Sequence, residues 1–437
     1  MGSLLVKGGR IIDPSRGIDI VGDLLAVDGK VARIVEGGLG GAPQADIVIH
    51  AAGKITCPGF VDLHCHLREP GFEDKETIAT GTRAAARGGF TAVCCMANTQ
   101  PPIDSVAVVE YVNRKARAEG AVRVFPIGCI TRGQWGKELV EMDSLAEAGV
   151  VAFSEDGYSV PDARLMQQAL ERSRALGLPI SDHCEDSALT AGGNMNDGVL
   201  AAGLGLKGMP AAAEESIVAR DIELARPTGA RLHIAHASTA GSVELIRRAK
   251  EDGVRVTAEV TPHHLTLTEE RLAGYDTSAK VTPPLRTETD RQALLQGLKT
   301  GVIDAIATDH APHTTKDKDC DFAAAAFGIS GLETALGVVM GLVHQGELDI
   351  ITLVSKLTSE PARLFPALQH LGTLKEGTPA DITVFDPEAE WVVDVRRFAS
   401  KGRNNPWAGC VLKGKVLATV VGGEIVYQSD AVVFETR

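Results

Sequence analysis

The chain has 437 residues, 44% of them hydrophobic and 23% charged, a globular balance long enough for one large domain with a smaller companion. With 57 acidic against 44 basic side chains its formal charge is −13, and with no long basic run this argues against nucleic acid and against an anionic membrane as partners. A small anionic substrate must therefore meet positive charge arranged locally. No apolar run approaches the roughly 18 residues of a membrane span, and Met1–Gly9 lacks the basic-then-apolar form of a secretion leader, so the expected location is the cytoplasm. The cysteines at 57, 65, 94, 95, 129, 184, 320 and 410 show no CxxC spacing, and most sit in apolar strand-like runs, as reduced buried thiols do.

Residues 3 to 56 read as short strands, among them Leu4–Val6 and Ile47–Ile49, separated by turns such as Asp28–Gly29 and a Gly-rich turn at 37 to 41. Eight apolar, β-branched runs follow: Gly59–His64, Phe90–Met96, Val122–Ile127, Val150–Ser154, Pro179–His183, Arg231–His236, Val254–Val260 and Ile303–Thr308. Amphipathic stretches such as Asp162–Leu176 separate them, the alternation of parallel β/α units. Thr314–Gly328 is polar and then Ala-rich and reads as a mobile loop able to close over a pocket. Strand and turn chemistry returns with Ala380–Phe385 and Leu417–Gly423. The expected architecture is α/β: a (β/α)8 TIM-type barrel over 57–370, with a small β-sandwich domain built from 1–56 and 371–437.

The run Pro58–His66 ends in two histidines one residue apart, which on a strand face the same way and can share an ion. Counting along the eight runs, His64 and His66 fall at the end of the first, Asp156 of the fourth, His183 of the fifth, His236 of the sixth and Asp309 of the eighth. The C-terminal ends of barrel strands are where such folds build their sites. Four imidazoles and two carboxylates suit zinc, and one shared carboxylate can bridge two ions that polarise a common water. Cys65 and Cys184, next to these residues, belong to the opposite strand face; His233 reads as core, and His263 and His264 as structural. Arg68, Asn98 and His313 lie close enough to the same strand ends to hold a small anion, the guanidinium gripping a carboxylate by two points.

The motifs Asp62-Leu63-His64-Cys65-His66-Leu67-Arg68-Glu69-Pro70-Gly71, Asp182-His183-Cys184-Glu185-Asp186, His233-Ile234-Ala235-His236 and Thr308-Asp309-His310-Ala311-Pro312-His313 resemble those of type I dihydroorotases, in the cyclic amidohydrolase superfamily, over nearly the whole chain. The resemblance implies interconversion of dihydroorotate and N-carbamoyl-L-aspartate in pyrimidine synthesis, with two zinc ions per subunit. It implies that His64 and His66 bind one ion and His183 and His236 the other, that Asp156 bridges them, and that Asp309 binds the first ion and carries protons. Arg68, Asn98 and His313 would hold the substrate carboxylate, with His66, Thr282 and the backbone of Phe327–Gly328 also against the substrate. A homo-oligomer and association with aspartate transcarbamoylase are the partners it implies.

Two features set this chain apart within the resemblance. Many relatives bridge their ions with a carboxylated lysine, yet Gly149–Ser154 offers none, which leaves Asp156 for that role. Ala97 stands where the family has proline and Thr282 where it has asparagine, and a hydroxyl offers one donor where an amide offers two. The rival readings are another cyclic amide hydrolase, such as a hydantoinase or allantoinase, and a noncatalytic dihydroorotase-like partner of aspartate transcarbamoylase. All six ligand positions are filled, which argues against the latter.

Overall fold

Asp28 and Gly29 both adopt positive φ (48° and 79°) at the tip of a two-residue hairpin, the turn whose twist matches its flanking strands. A computed structural model describes residues 2–39, 45–431 and 434–436; positions 40 and 41 of the expected Gly-rich turn lie outside that range. The hairpin belongs to a run of five strands, β1 (Ser3–Asp13), β2 (Ile18–Val27), β3 (Lys30–Glu36), β4 (Ile47–His50) and β5 (Ile55–Pro58).

The eight expected runs are all extended and pair in parallel. They appear as β6 (Phe60–Cys65), β7 (Phe90–Cys95), β8 (Arg123–Pro126) with its continuation β9 (Gly128–Cys129), β10 (Phe153–Ser154) and β11 (Ile180–Asp182). A small parallel pair, β12 (Met195–Asn196) and β13 (Gly208–Met209), lies in the excursion after the fifth run, followed by β14 (Leu232–Ile234), β15 (Val256–Val260) and β16 (Ala305–Ile306). The third run extends past its expected end at Ile127, and there it changes partner: β8 pairs with β7, while β9 pairs with β10. The two ends of the parallel series meet where Cys65 bridges His310, His66 N donates to His310 O (2.8 Å), and Thr308 N donates to the Asp62 carboxylate (2.9 Å). Helices alternate with these strands; Ala163–Leu176 is capped by Asp162, whose carboxylate accepts from Arg164 N and Leu165 N, and ends on Gly177 at φ 73°.

The chain then returns to the first sheet with β17 (Ile382–Val392), β18 (Val411–Val421), β19 (Glu424–Gln428) and β20 (Phe434–Thr436). Its order is β19-β18-β17-β5-β1-β2-β3, with β4 on β1 and β20 on β4, so the two ends of the chain join twice: β17 antiparallel to β5, and β20 antiparallel to β4. The sheet has its own apolar cluster, including Leu4, Ile11, Leu24, Ile382 and Leu417. Phe60, fully buried, ties it to the parallel strands by meeting Phe90 edge-on (5.6 Å between centroids) and Phe385 (6.3 Å). Phe60→Ala is therefore expected to cost about 3–5 kcal/mol, read as a lower denaturant midpoint; a midpoint equal to that of the parent would show that this junction carries little stability.

Candidate metal centre

The six residues singled out by strand-end position come together at one mouth, each no more than 5% exposed. His64 lies in β6 with His66 just beyond it; Asp156, His183, His236 and Asp309 follow β10, β11, β14 and β16. Asp156 is the hub. Its Oδ1 lies 3.2 Å from His64 Nε2, 3.5 Å from His236 Nε2 and 3.6 Å from His183 Nδ1, and its Oδ2 lies 3.5 Å from His66 Nε2. Asp309 Oδ1 stands beside the first pair only, 3.0 Å from His66 Nε2 and 3.5 Å from His64 Nε2. Two ligand-sized groupings result, one of His64, His66 and Asp309 and one of His64, Asp156 and His236, with His183 Nδ1 3.0 Å from His236 Nε2.

The backbone is bent to achieve this convergence. Three of the six non-glycine residues at positive φ among those described are Arg68 (62°), His236 (30°) and Asp309 (44°). Such conformations cost about 1–3 kcal/mol each and persist where the surroundings enforce them.

The outer partners of the imidazoles fix which nitrogen is bare. His64 Nδ1 is 2.7 Å from Glu259 Oε1, and His66 Nδ1 is 2.9 Å from Asn98 Oδ1. Since a carboxylate and an amide oxygen only accept, both Nδ1 atoms carry the proton and both Nε2 atoms offer lone pairs towards Asp156 and Asp309. His64 Nε2 and Asp156 Oδ1 are buried without any hydrogen-bond partner. Lone pairs aimed at carboxylate oxygens within 3–3.5 Å call for a cation between them, so the donor set fits divalent ions with nitrogen and oxygen preference. Burial opposes the charges of Asp156 and Asp309; with the facing imidazoles protonated, His64, His183 and His236 hold the Asp156 carboxyl well below the usual range and His66 and His64 hold Asp309 down, the part a bound cation would take over once those imidazoles are neutral.

Glu259 was not among the residues singled out from the sequence. It is buried on β15, and its second oxygen lies 3.1 Å from Nε2 of His233, whose Nδ1 lies 2.8 Å from Thr257 Oγ1. His233 is thus core, as expected, but works as the far support of His64. Against its burial, His233 and His64 hold the Glu259 carboxyl at about 2. The available signal was period two: Thr257 and Glu259 share one face of an otherwise apolar strand. Cys65 donates to Cys94 O (3.4 Å), and Cys184 turns to Asp182 (3.4 Å), so neither thiol joins the six. Burial and the charge of Asp182 push the neighbouring Asp221 carboxyl up. His264 is held by Pro283 O (3.0 Å) and Thr261 Oγ1 (2.8 Å), a structural role.

Of the residues expected to hold a substrate, Arg68, His313 and Phe327 are linked to one another, while Thr282 lies against Glu185, beside His183. Arg68 Nε donates to Pro312 O (3.2 Å), and its Nη2 lies 3.4 Å from His313 Nε2. His313 donates from Nε2 to Phe327 O (2.8 Å), and its other nitrogen faces Lys75 Nζ (3.4 Å); burial and the cations Arg68, Lys318 and Lys75 hold this imidazole neutral, its pKa brought down to about 2. Asn98 spends its oxygen on His66 and one amide proton on Asp156 (3.5 Å), which leaves one amide proton for a ligand. Thr282 donates its single hydroxyl proton to Glu185 (2.9 Å), so the threonine has no donor left over.

Gly328 N donates to Lys280 O (2.9 Å) and Gly328 O accepts from Asn404 (3.0 Å), so of the four backbone groups of this pair only the Phe327 N–H lacks a protein partner among the described residues. Asn404, on the returning C-terminal segment, makes all four bonds its amide allows, to His313 N, Ser330 Oγ, Ala311 O and Gly328 O. No spacing in the sequence announces such a partner.

A family model described as dihydro-orotase-like matches residues 53–242. A dihydroorotase from Pelotomaculum thermopropionicum is 54% identical over 98% of this chain and 99% of its own, and one from Citrifermentans bemidjiense is 50% identical over 98% and 100%. Among solved structures, an L-hydantoinase (dihydropyrimidinase) from Arthrobacter aurescens superposes with a TM-score of 0.88 at 26% identity, covering 100% of this chain and 98% of that one.

Glu259→Gln keeps the size of the side chain but removes the charge that holds the His64 tautomer. It is expected to weaken zinc binding by about 10- to 100-fold with little change in folding, measured by competition with a chromophoric chelator; an unchanged zinc affinity would exclude the support role.

Proposed function

The chain belongs to the dihydroorotase family, and on that premise we propose that it interconverts dihydroorotate and N-carbamoyl-L-aspartate, a step of pyrimidine synthesis, with zinc as cofactor. The observation that carries this reading is the placement of Arg68, beside His313, against two His/Asp groupings that meet at His64, with Asp156 also 3.5 Å from His66 of the first grouping. His64, His66 and Asp309 would hold one ion and His183, His236 and Asp156 the other, with Asp156 common to both. When bound, such ions lower the pKa of a water and polarise a carbonyl.

The residues of the chain supply the rest. Arg68 grips the ring carboxylate by its two-point fork, aided by the remaining amide proton of Asn98 and the free Phe327 N–H. Asp309, held as an anion, takes the proton of the attacking water and passes it to the ring nitrogen as the amide bond breaks; the reverse transfer closes the ring. Hydantoinases share the fold, but the shared carboxylate here is Asp156, and an anionic group on the substrate has an arginine waiting for it. We also read two domains, 1–56 with 371–437 forming a β-sandwich, and 57–370 carrying the site. The cytoplasm as location, and a second copy or aspartate transcarbamoylase as partner, complete the reading.

Purified protein should hydrolyse dihydroorotate in preference to hydantoin and allantoin, lose that activity to a chelator and regain it with zinc; preference for hydantoin, or chelator-insensitive turnover, would refute it. Asp309→Asn should lower kcat by about 10²–10⁴-fold in a folded protein, and a near-normal rate would remove Asp309 from proton transfer. The pKa of Asp309 is lowered, so its anion survives to low pH, and the acid limb of the rate should instead follow imidazole protonation. Rate and bound zinc should therefore fall together as acid protonates the imidazoles, whereas a rate that outlasts the bound zinc on acidification would contradict the ligand assignment.

A further inference from the structure

Lys280 is 1% exposed, and no carboxylate lies within ion-pair distance of it among the described residues. Its ammonium donates to Asn194 Oδ1 (3.0 Å), Phe322 O (2.6 Å) and Ala323 O (3.1 Å), spending all three protons on neutral oxygens. Two rings complete its surroundings, Phe327 with its centroid 4.4 Å from Nζ and Phe322 at 5.2 Å. Three of these four residues lie in the 314–328 segment. Lys318, inside that segment, crosses the other way: its Nζ donates to Thr277 O (3.0 Å) and to Lys280 O (3.2 Å). The same Lys280 O accepts the Gly328 N–H, and Gly328 sits at φ 143°, where an added Cβ would meet Ala311 O at 2.7 Å. Each lysine thus straps the segment that carries the other.

We propose that Lys280, with Lys318 as its counter-strap, is a positioning residue that sets Phe327 and Gly328 against His313 and so fixes the edge on which the substrate carboxylate is held. This rests on the reading of Phe327–Gly328 as part of the substrate site. A buried cation is costly to leave unmet, and this one is met only if Phe322, Ala323 and Phe327 stay where they are. An ammonium suits three acceptors; a neutral amine would turn its lone pair on one of them. Burial lowers the Lys280 pKa to about 8, still above neutral pH, so the charged form is the one present at working pH. The loop expected to be mobile is in this arrangement pinned at its C-terminal half, next to the site, while Thr314 and Asp317 form a capping box at its start.

Lys280→Met keeps the stem and removes the charge and all three donors. In zinc-loaded protein the amides of 322–328 should exchange with deuterium about ten-fold faster, and KM for dihydroorotate should rise about ten-fold, the weight of one or two hydrogen bonds. Zinc content and kcat should stay within about two-fold. Exchange and KM at parental values would overturn the proposal, as would a fall in kcat with KM unchanged. Should that variant not fold, Lys318→Met carries the same two readouts, with faster exchange and higher KM in support and parental values against. The exchange readout needs no substrate, so faster exchange in a protein that never turns over dihydroorotate would sustain the strap and reject the proposed reaction.

Discussion

One carboxylate, buried and facing four imidazoles, organises the molecule. Asp156 is reached from β6, β11 and β14 at once, and two of those histidines are also within reach of Asp309. An anion at that depth is tolerable only because every face of it meets a nitrogen or, when ions are bound, a metal. The parallel strands must therefore end at one level, and the left-handed backbone at His236 and Asp309 must be held there. The contacts that join the first strand to the last, His66 to His310 and Asp62 to Thr308, lie directly beneath the ligand pairs. Closing the strand series and assembling the site are one event.

Around that hub the chemistry is sorted by acceptors. Glu259 and Asn98 are pure acceptors at the points where they touch His64 and His66, so both rings present the lone pair a metal needs. Neutral oxygens also take the Lys280 ammonium, and a neutral His313 lies among three cations. In a chain of net charge −13, Arg68 at the mouth beside a neutral His313 is a local cation that would meet an anionic ligand at short range.

Much of this was legible in the sequence because it repeats at strand periodicity. The eight extended runs and the six strand-end residues follow from apolar runs and what terminates them, and the pairing of β5 with β17 follows from shared texture at the two ends of the chain. What escaped depends on partners distant in sequence. Ile127 splits its strand because its flanks pair with different neighbours, Glu259 looked like one polar residue in a strand, and Lys280, next to an apolar run, gave no sign that it would be buried among the carbonyls of residues some 40 positions later. Thr282 stood out as a departure, and its consequence, a donor spent on Glu185, needed the fold to be seen.

The most direct measurement is the zinc content of Asp156→Ala beside the parent, by metal analysis after equilibration with buffered zinc, together with turnover of dihydroorotate. If Asp156 is the carboxylate common to both ions, the parent holds two zincs, and the variant binds both more weakly and loses turnover. A variant that keeps two tightly bound ions and near-normal turnover would contradict the account at its centre.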